Sequence, residues 1–139
     1  MNLLKLSALT LSLLSVPVSA QTVQFDIQSI KHNQGKLYVQ IFKGEQDYKQ
    51  GKAYNATIVK AKQGNITVTF NDLEKGDYAI RYFHDENDNG DMNTNLFGLP
   101  VEGYGFSNNA KVSFGPPSYQ EMSFQVAEQP VKTHSTVNY

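Results

Sequence analysis

Between Asp85 and Asn93 the chain carries an oxygen-bearing side chain at every second position: Asp85, Asn87, Asn89, Asp91 and Asn93, with Gly90 at the sixth place. Calcium takes six to eight hard oxygen ligands, and a short loop with this spacing and a sharp glycine turn can wrap the ion. The pattern therefore points to calcium, with these five residues as its ligands. The match is incomplete, because the twelfth place, where a helix–loop–helix calcium site has a bidentate Glu, holds Leu96. Asn87 and Asn89 are neutral, so the set carries little charge and implies weak affinity, at the extracellular end of the range. Glu86, Asp88 or Glu102 would add charge. The competing reading is that Asn, Asp and Gly gather in turns for backbone reasons alone.

Downstream, Glu102, Tyr104 and Phe106 form a second candidate. Aromatic rings beside a carboxylate can offer a ligand a stacking surface; the structural alternative is that the rings plug the end of the fold. Both candidates lie in one polar connection, Asp85 to Asn109, which is long for a compact domain. Its Leu96, Phe97, Leu99, Tyr104 and Phe106 are too apolar for a disordered segment, so the loop is expected to fold back and bury them.

No catalytic constellation stands out. His84 beside Asp85 suggests a base and its orienting carboxylate, but neighbours in a strand point to opposite faces. Ser107 lacks the nucleophile-elbow glycines. His32 and His134 have no zinc spacing. Asp85 with Glu102 is a carboxylate pair of the kind that cleaves glycosides, though nothing in the spacing selects it. The expectation is a protein that is not an enzyme, and a periplasmic hydrolase using the loop carboxylates is the alternative.

The elements that must position this loop read as strands. Apolar residues alternate at Val23/Phe25/Ile27, Leu37/Val39/Ile41, Tyr54/Ala56/Ile58, Ile66/Val68/Phe70, Tyr78/Ile80/Tyr82, Ala110/Val112/Phe114 and Met122/Phe124/Val126. The first two, around Asn33-Gln34-Gly35, read as a hairpin. About seven short strands without a helical stripe predict an all-β antiparallel sandwich, immunoglobulin-like or transthyretin-like, with a small barrel as rival. The turn before Tyr78 has the spacing of a tyrosine corner. Ser118 to Glu121 has capping-box spacing with room for one helical turn.

Residues 1–20 read as a signal peptide cut after Ala20: Lys5, then an 11-residue apolar run, then Pro17-Val18-Ser19-Ala20. That run is too short for a membrane span, which needs roughly 20 residues, and the mature chain has no second one. Residues 21–127 form the sandwich, and 128–139 a C-terminal tail or edge strand. The product is expected to be periplasmic or secreted. There is no Cys, so neither disulfides nor a thiolate site is available. Without Lys5, eleven Lys and Arg face thirteen Asp and Glu, with no basic block, which argues against nucleic acid. An envelope protein or a small ligand is the expected partner, and pairing by an edge strand is a further option.

Three stretches carry a resemblance: Tyr78 to Gly90, with His84-Asp85-Glu86-Asn87-Asp88-Asn89-Gly90; Leu99 to Asn109, with Glu102-Gly103-Tyr104-Gly105-Phe106-Ser107-Asn108-Asn109; and Phe114-Gly115-Pro116-Pro117. Together they resemble the bacterial family called domain of unknown function 2141, over about Val23 to Val126. The resemblance implies an exported envelope protein of Gram-negative bacteria with no assigned activity. Asn93 stands where the family more often has Asp, and Lys75 where it often has Pro. The first of these departures weakens the implied metal loop.

Overall fold

The computed structural model describes residues 20–139. The leader read from residues 1–20 therefore lies outside the described residues, Ala20 excepted. Eight strands form two sheets: β1 (Gln21–Ile30), β2 (Lys36–Lys43), β3 (Asn55–Lys60), β4 (Gly64–Leu73), β5 (Gly76–Asp85), β6 (Gly103–Phe106), β7 (Phe124–Val126) and β8 (Val131–Thr136). One sheet runs β4-β1-β8. The other runs β3-β2-β5-β6, with β7 continuing the β6 edge along the start of β5. All pairs are antiparallel except β1 with β8.

The alternating side chains build the interior. Phe25, Ile27, Leu37, Ile41, Tyr78 and Ile80 are fully buried between the sheets, with Val68, Phe70 and Tyr82 nearly so. Each large apolar side chain removed from water contributes about 1.5–3 kcal/mol, so this layer is the main source of stability in a chain without disulfides. The tyrosine corner is present: the Tyr78 hydroxyl donates to the Glu74 carbonyl at 2.9 Å.

A second, smaller cluster covers the outer face of the five-stranded sheet. Ala79, Phe106, Tyr119 and Met122 pack there, under two short helices, α1 (Glu45–Lys49) and α2 (Tyr119–Met122). α2 starts with the expected capping box at Ser118 and Glu121. α1 falls in a polar stretch and has no buried residue; its half-buried Tyr48 packs edge-on to Phe42, and five residues are too few for a helical stripe to be read.

Four expectations need correction. β1 and β2 form no hairpin, because they belong to different sheets. Gly35 in the turn between them has φ 73°, and a Cβ there would lie 1.8 Å from the Asp85 carbonyl oxygen. On β3, Thr57 and Val59 turn inward, while Tyr54, Ala56 and Ile58 are exposed at the sheet edge. Residues 110–114 form no strand, and the sixth strand is Gly103–Phe106, inside the long connection. Finally, Leu96, Phe97 and Leu99 are exposed rather than folded back onto the sandwich.

Candidate functional site

The connection from β5 to β6 has a bound base and an open tip. At the base, the fully buried Asp85 accepts the amide N–H of Asn89 on Oδ1 at 3.1 Å and that of Gly90 on Oδ2 at 2.8 Å. Glu102, also buried, accepts the amides of Glu86 on Oε1 and of Asn93 on Oε2, each at 2.9 Å. Two carboxylates thus hold four backbone N–H groups of the turns. Charge-assisted bonds of this kind are roughly twice as strong as neutral ones.

The expected ligand residues are partly brought together. The Asn93 side-chain oxygen accepts from the amide groups of Asn87 at 2.9 Å and Asn89 at 3.1 Å, so these three converge. Asn87 and Asn89 each also accept the amide two residues on, as turn residues do. Asp85 faces the same turn from below, and Asp91 is exposed at its rim. Lys36 reaches the loop through Asp88 at 2.9 Å; that hydrogen bond, then the carboxylate's charge, raises the Lys36 ammonium pKa above its usual value. Among the described residues, no group of three or more His, Cys, Asp or Glu side chains is placed to hold a metal.

Of the residues read as a ligand surface, Glu102 and Phe106 are buried, and Tyr104 is half-buried. Tyr104 lines an open cleft of about 760 Å³ between the tip and the 112–116 turn, together with Met92, Leu99, Val112 and Phe114. A smaller cleft of about 240 Å³, lined by Tyr38, Arg81 and Phe83, meets it at Met92.

His84 is fully buried and bonded at both nitrogens, with Nε2 2.7 Å from the Gln34 carbonyl and Nδ1 2.8 Å from the Tyr139 hydroxyl. A carbonyl only accepts, so Nε2 donates. The Tyr139 hydroxyl, 2.8 Å from Nδ1, also accepts the Lys31 amide. His84 anchors the C-terminus and the β1–β2 turn, while Asp85, next along the strand, serves the loop.

A family model described as an uncharacterized protein conserved in bacteria (DUF2141) matches residues 25–134. The chain belongs to this family. Comparison with curated proteins and with solved structures finds no significant match.

Most of the sequence pattern shared with the family has a mechanical explanation. Gly103 and Gly105 lie on the inner side of β6, where a Cβ would meet Tyr139 at 2.5 Å or Ser135 at 2.4 Å. They allow close approach rather than a turn. Ser107 accepts the Ile80 amide at 2.9 Å and donates to the Met122 carbonyl at 2.5 Å. Asn108 ties Ser123, in the five-stranded layer, to Thr133 on β8, and Asn109 accepts the Thr136 amide at 3.0 Å. Both Asn residues sit at positive φ, which Asn tolerates better than most residues. This staple joins the two sheets. The Asn-Asn pair and the glycines were its signal in sequence, but both read equally well as turn residues.

The tip is different. Asn95 closes a tight hairpin, accepting the amides of Phe97 at 2.9 Å and Leu99 at 3.1 Å. Leu96 and Phe97 stand at its apex, 101 and 88 % exposed. Phe114, on the neighbouring turn, is 110 % exposed. Nothing in the fold requires a large apolar residue at any of these three positions.

Proposed function

We propose that the protein is an exported, non-catalytic binding module of the bacterial envelope that presents the tip of the 85–106 connection on a fixed base. The observation that carries this reading is the pairing of a fully bonded base with bare apolar side chains at the apex. Binding residues are commonly found on loops that a rigid scaffold positions, and exposed apolar patches commonly mark interaction sites. Absence of catalysis is supported by the engagement of Asp85, Glu102 and His84, each already committed to backbone or tyrosine partners.

Amide hydrogen exchange tests the reading. The amides of Gly90 and Asn93, held by Asp85 and Glu102, should exchange as slowly as those of β5. Exchange at the rate of an open loop would end the proposal.

Calcium is a second element of the reading, favoured by the convergence of Asn87, Asn89 and Asn93 above Asp85. The ion would displace the amide–amide contacts among the three Asn side chains and stiffen the turn. Ten times the dissociation constant of calcium should add about 1.4 kcal/mol, or roughly 5 °C in Tm for a domain of this size. Asn93→Asp, which adds a charged ligand, should enlarge the shift. An unchanged Tm at millimolar calcium in both proteins removes the metal and leaves the binding module standing.

A further inference from the structure

We infer that the two apolar tips, Leu96-Phe97 and Phe114, dock the domain on an anionic lipid surface. This rests on the reading of the loop as the binding element and names its partner.

The form of the apolar surface comes first. Leu96, Phe97 and Phe114 are as exposed as they would be in an extended chain, so no described part of the molecule covers their sides. A protein partner is best met by a packed apolar centre where neighbouring side chains support one another. Side chains raised on two projecting turns, on either side of the open cleft lined by Leu99 and Val112, instead suit insertion among acyl chains. The turns that raise them are open: Gly98 has φ 75°, and a Cβ on Gly98 or Gly115 would meet nothing within 4 Å.

Charge separates a lipid surface from other apolar partners. From Met92 to Val101 the chain has no Asp, Glu, Lys, Arg or His, and from Gly103 to Gln120 it has only Lys111. Of the acidic groups of the connection, Asp85 and Glu102 are buried under backbone amides, and Asp88 and Asp91 are exposed on the 87–91 turn, outside the tip. The two segments that carry the tips thus offer apolar side chains, polar amides and one cation, with no carboxylate of their own. A lysine beside inserted side chains can lay its stem on the apolar surface and hold its ammonium at the headgroups. Preorganisation adds to this, since a tip already fixed by Asn95 loses little conformational freedom on docking.

The test is flotation of the purified protein with vesicles of phosphatidylethanolamine and phosphatidylglycerol (7:3), and with phosphatidylcholine alone. The protein should float with the anionic vesicles and much less with the neutral ones. Phe97→Ala and Phe114→Ala should each weaken partition about tenfold, the loss expected for a large apolar side chain. Lys111→Glu should weaken it by roughly tenfold or more on anionic vesicles, since each cation near such a surface is worth about 1 kcal/mol and the change reverses the charge. The chain has no Trp, so Phe97→Trp supplies a single reporter whose emission should shift to the blue on anionic vesicles. These positions are exposed, and unchanged melting will show that the variants fold. Failure of the wild-type protein to float, or equal flotation of the Phe97→Ala Phe114→Ala double variant, overturns the inference. A concentration-dependent dimer in buffer that the double variant abolishes, without flotation, would make the tips a self-association surface and also overturn it. The exchange of Gly90 and Asn93 separates the two levels: slow exchange without flotation rejects the lipid surface alone, and fast exchange rejects the fixed-base reading as well.

Discussion

The base and the tip of the β5–β6 connection follow opposite rules. At the base, Asp85 and Glu102 hold four amides between them, and Ser107, Asn108 and Asn109 tie the end of β6 to α2, β5 and β8. Six and five residues before Glu102, Leu96 and Phe97 have almost no cover. At the base the two carboxylates Asp85 and Glu102 are buried while residues 87–91 stay exposed, whereas at the tip Leu96 and Phe97 are apolar and exposed. A composition reading assigns function to the Asp- and Asn-rich half and core packing to the Leu- and Phe-rich half. The structure departs from the packing half of that division, because the buried carboxylates Asp85 and Glu102 are satisfied by turn amides and the apolar side chains of Leu96 and Phe97 are held in water by a hairpin.

The sharpest way to break this contrast is to remove the backbone contact beneath the base. Gly35→Ala places a Cβ 1.8 Å from the Asp85 carbonyl at a residue with φ 73°. Main chain cannot yield as a flexible side chain would, so a loss of about 3 kcal/mol or more is expected in denaturant melts. Gly98→Ala, at a similar φ of 75° but with open space around it, should cost only about 1–2 kcal/mol. Equal losses would show that φ, rather than packing on Asp85, sets the requirement at Gly35.

Glu102→Ala comes next. It strands the Glu86 and Asn93 amides and should cost about 2–4 kcal/mol in denaturant melts, with faster exchange confined to the connection. Deleting Tyr139 should have a smaller effect. His84 Nδ1 and the Lys31 amide would lose their common partner and Gly103 its packing neighbour, for about 1–3 kcal/mol. By contrast, Phe97→Ala should change stability by less than about 0.5 kcal/mol, as surface substitutions usually do. A large loss at Phe97 would mean that the tip supports the fold, and the contrast would fail.

The smallest expected effect lies outside the connection, at α2. Hydrogen bonds from the Ser118 side chain and backbone hold the Glu121 carboxyl below its ordinary value of 4.5. A depressed acid contributes stability above its unfolded pKa and loses it as pH falls through the folded one. The Ser118 amide signal should therefore titrate below pH 4.5, and Glu121→Gln should remove that titration.

What the sequence made legible was local. Period-two alternation marked six of the eight strands, β3 among them with its faces reversed, and the tyrosine corner and the capping box were readable because their partners lie three or four residues apart. The misses share a physical cause: their partners are distant in the chain. β6 was hidden because its inner positions are Gly103 and Gly105, whose neighbours are Val137, Tyr139, Tyr82 and Ser135. Asn33-Gln34-Gly35 looked like a hairpin turn, yet its glycine is required by Asp85, fifty residues on. The convergence of Asn87, Asn89 and Asn93 was visible in their spacing; that Asp85 and Glu102 would be occupied by amides was not.

Backbone ¹⁵N relaxation across residues 85–109 tests the central claim most directly. A fixed base predicts order parameters near 0.85 at Glu86, Asn89, Gly90 and Asn93, equal to those of β5, while the Leu96 and Phe97 side chains remain open to a soluble quencher. Values below about 0.6 at those four amides would contradict the account, because they would mean that Asp85 and Glu102 hold nothing in place.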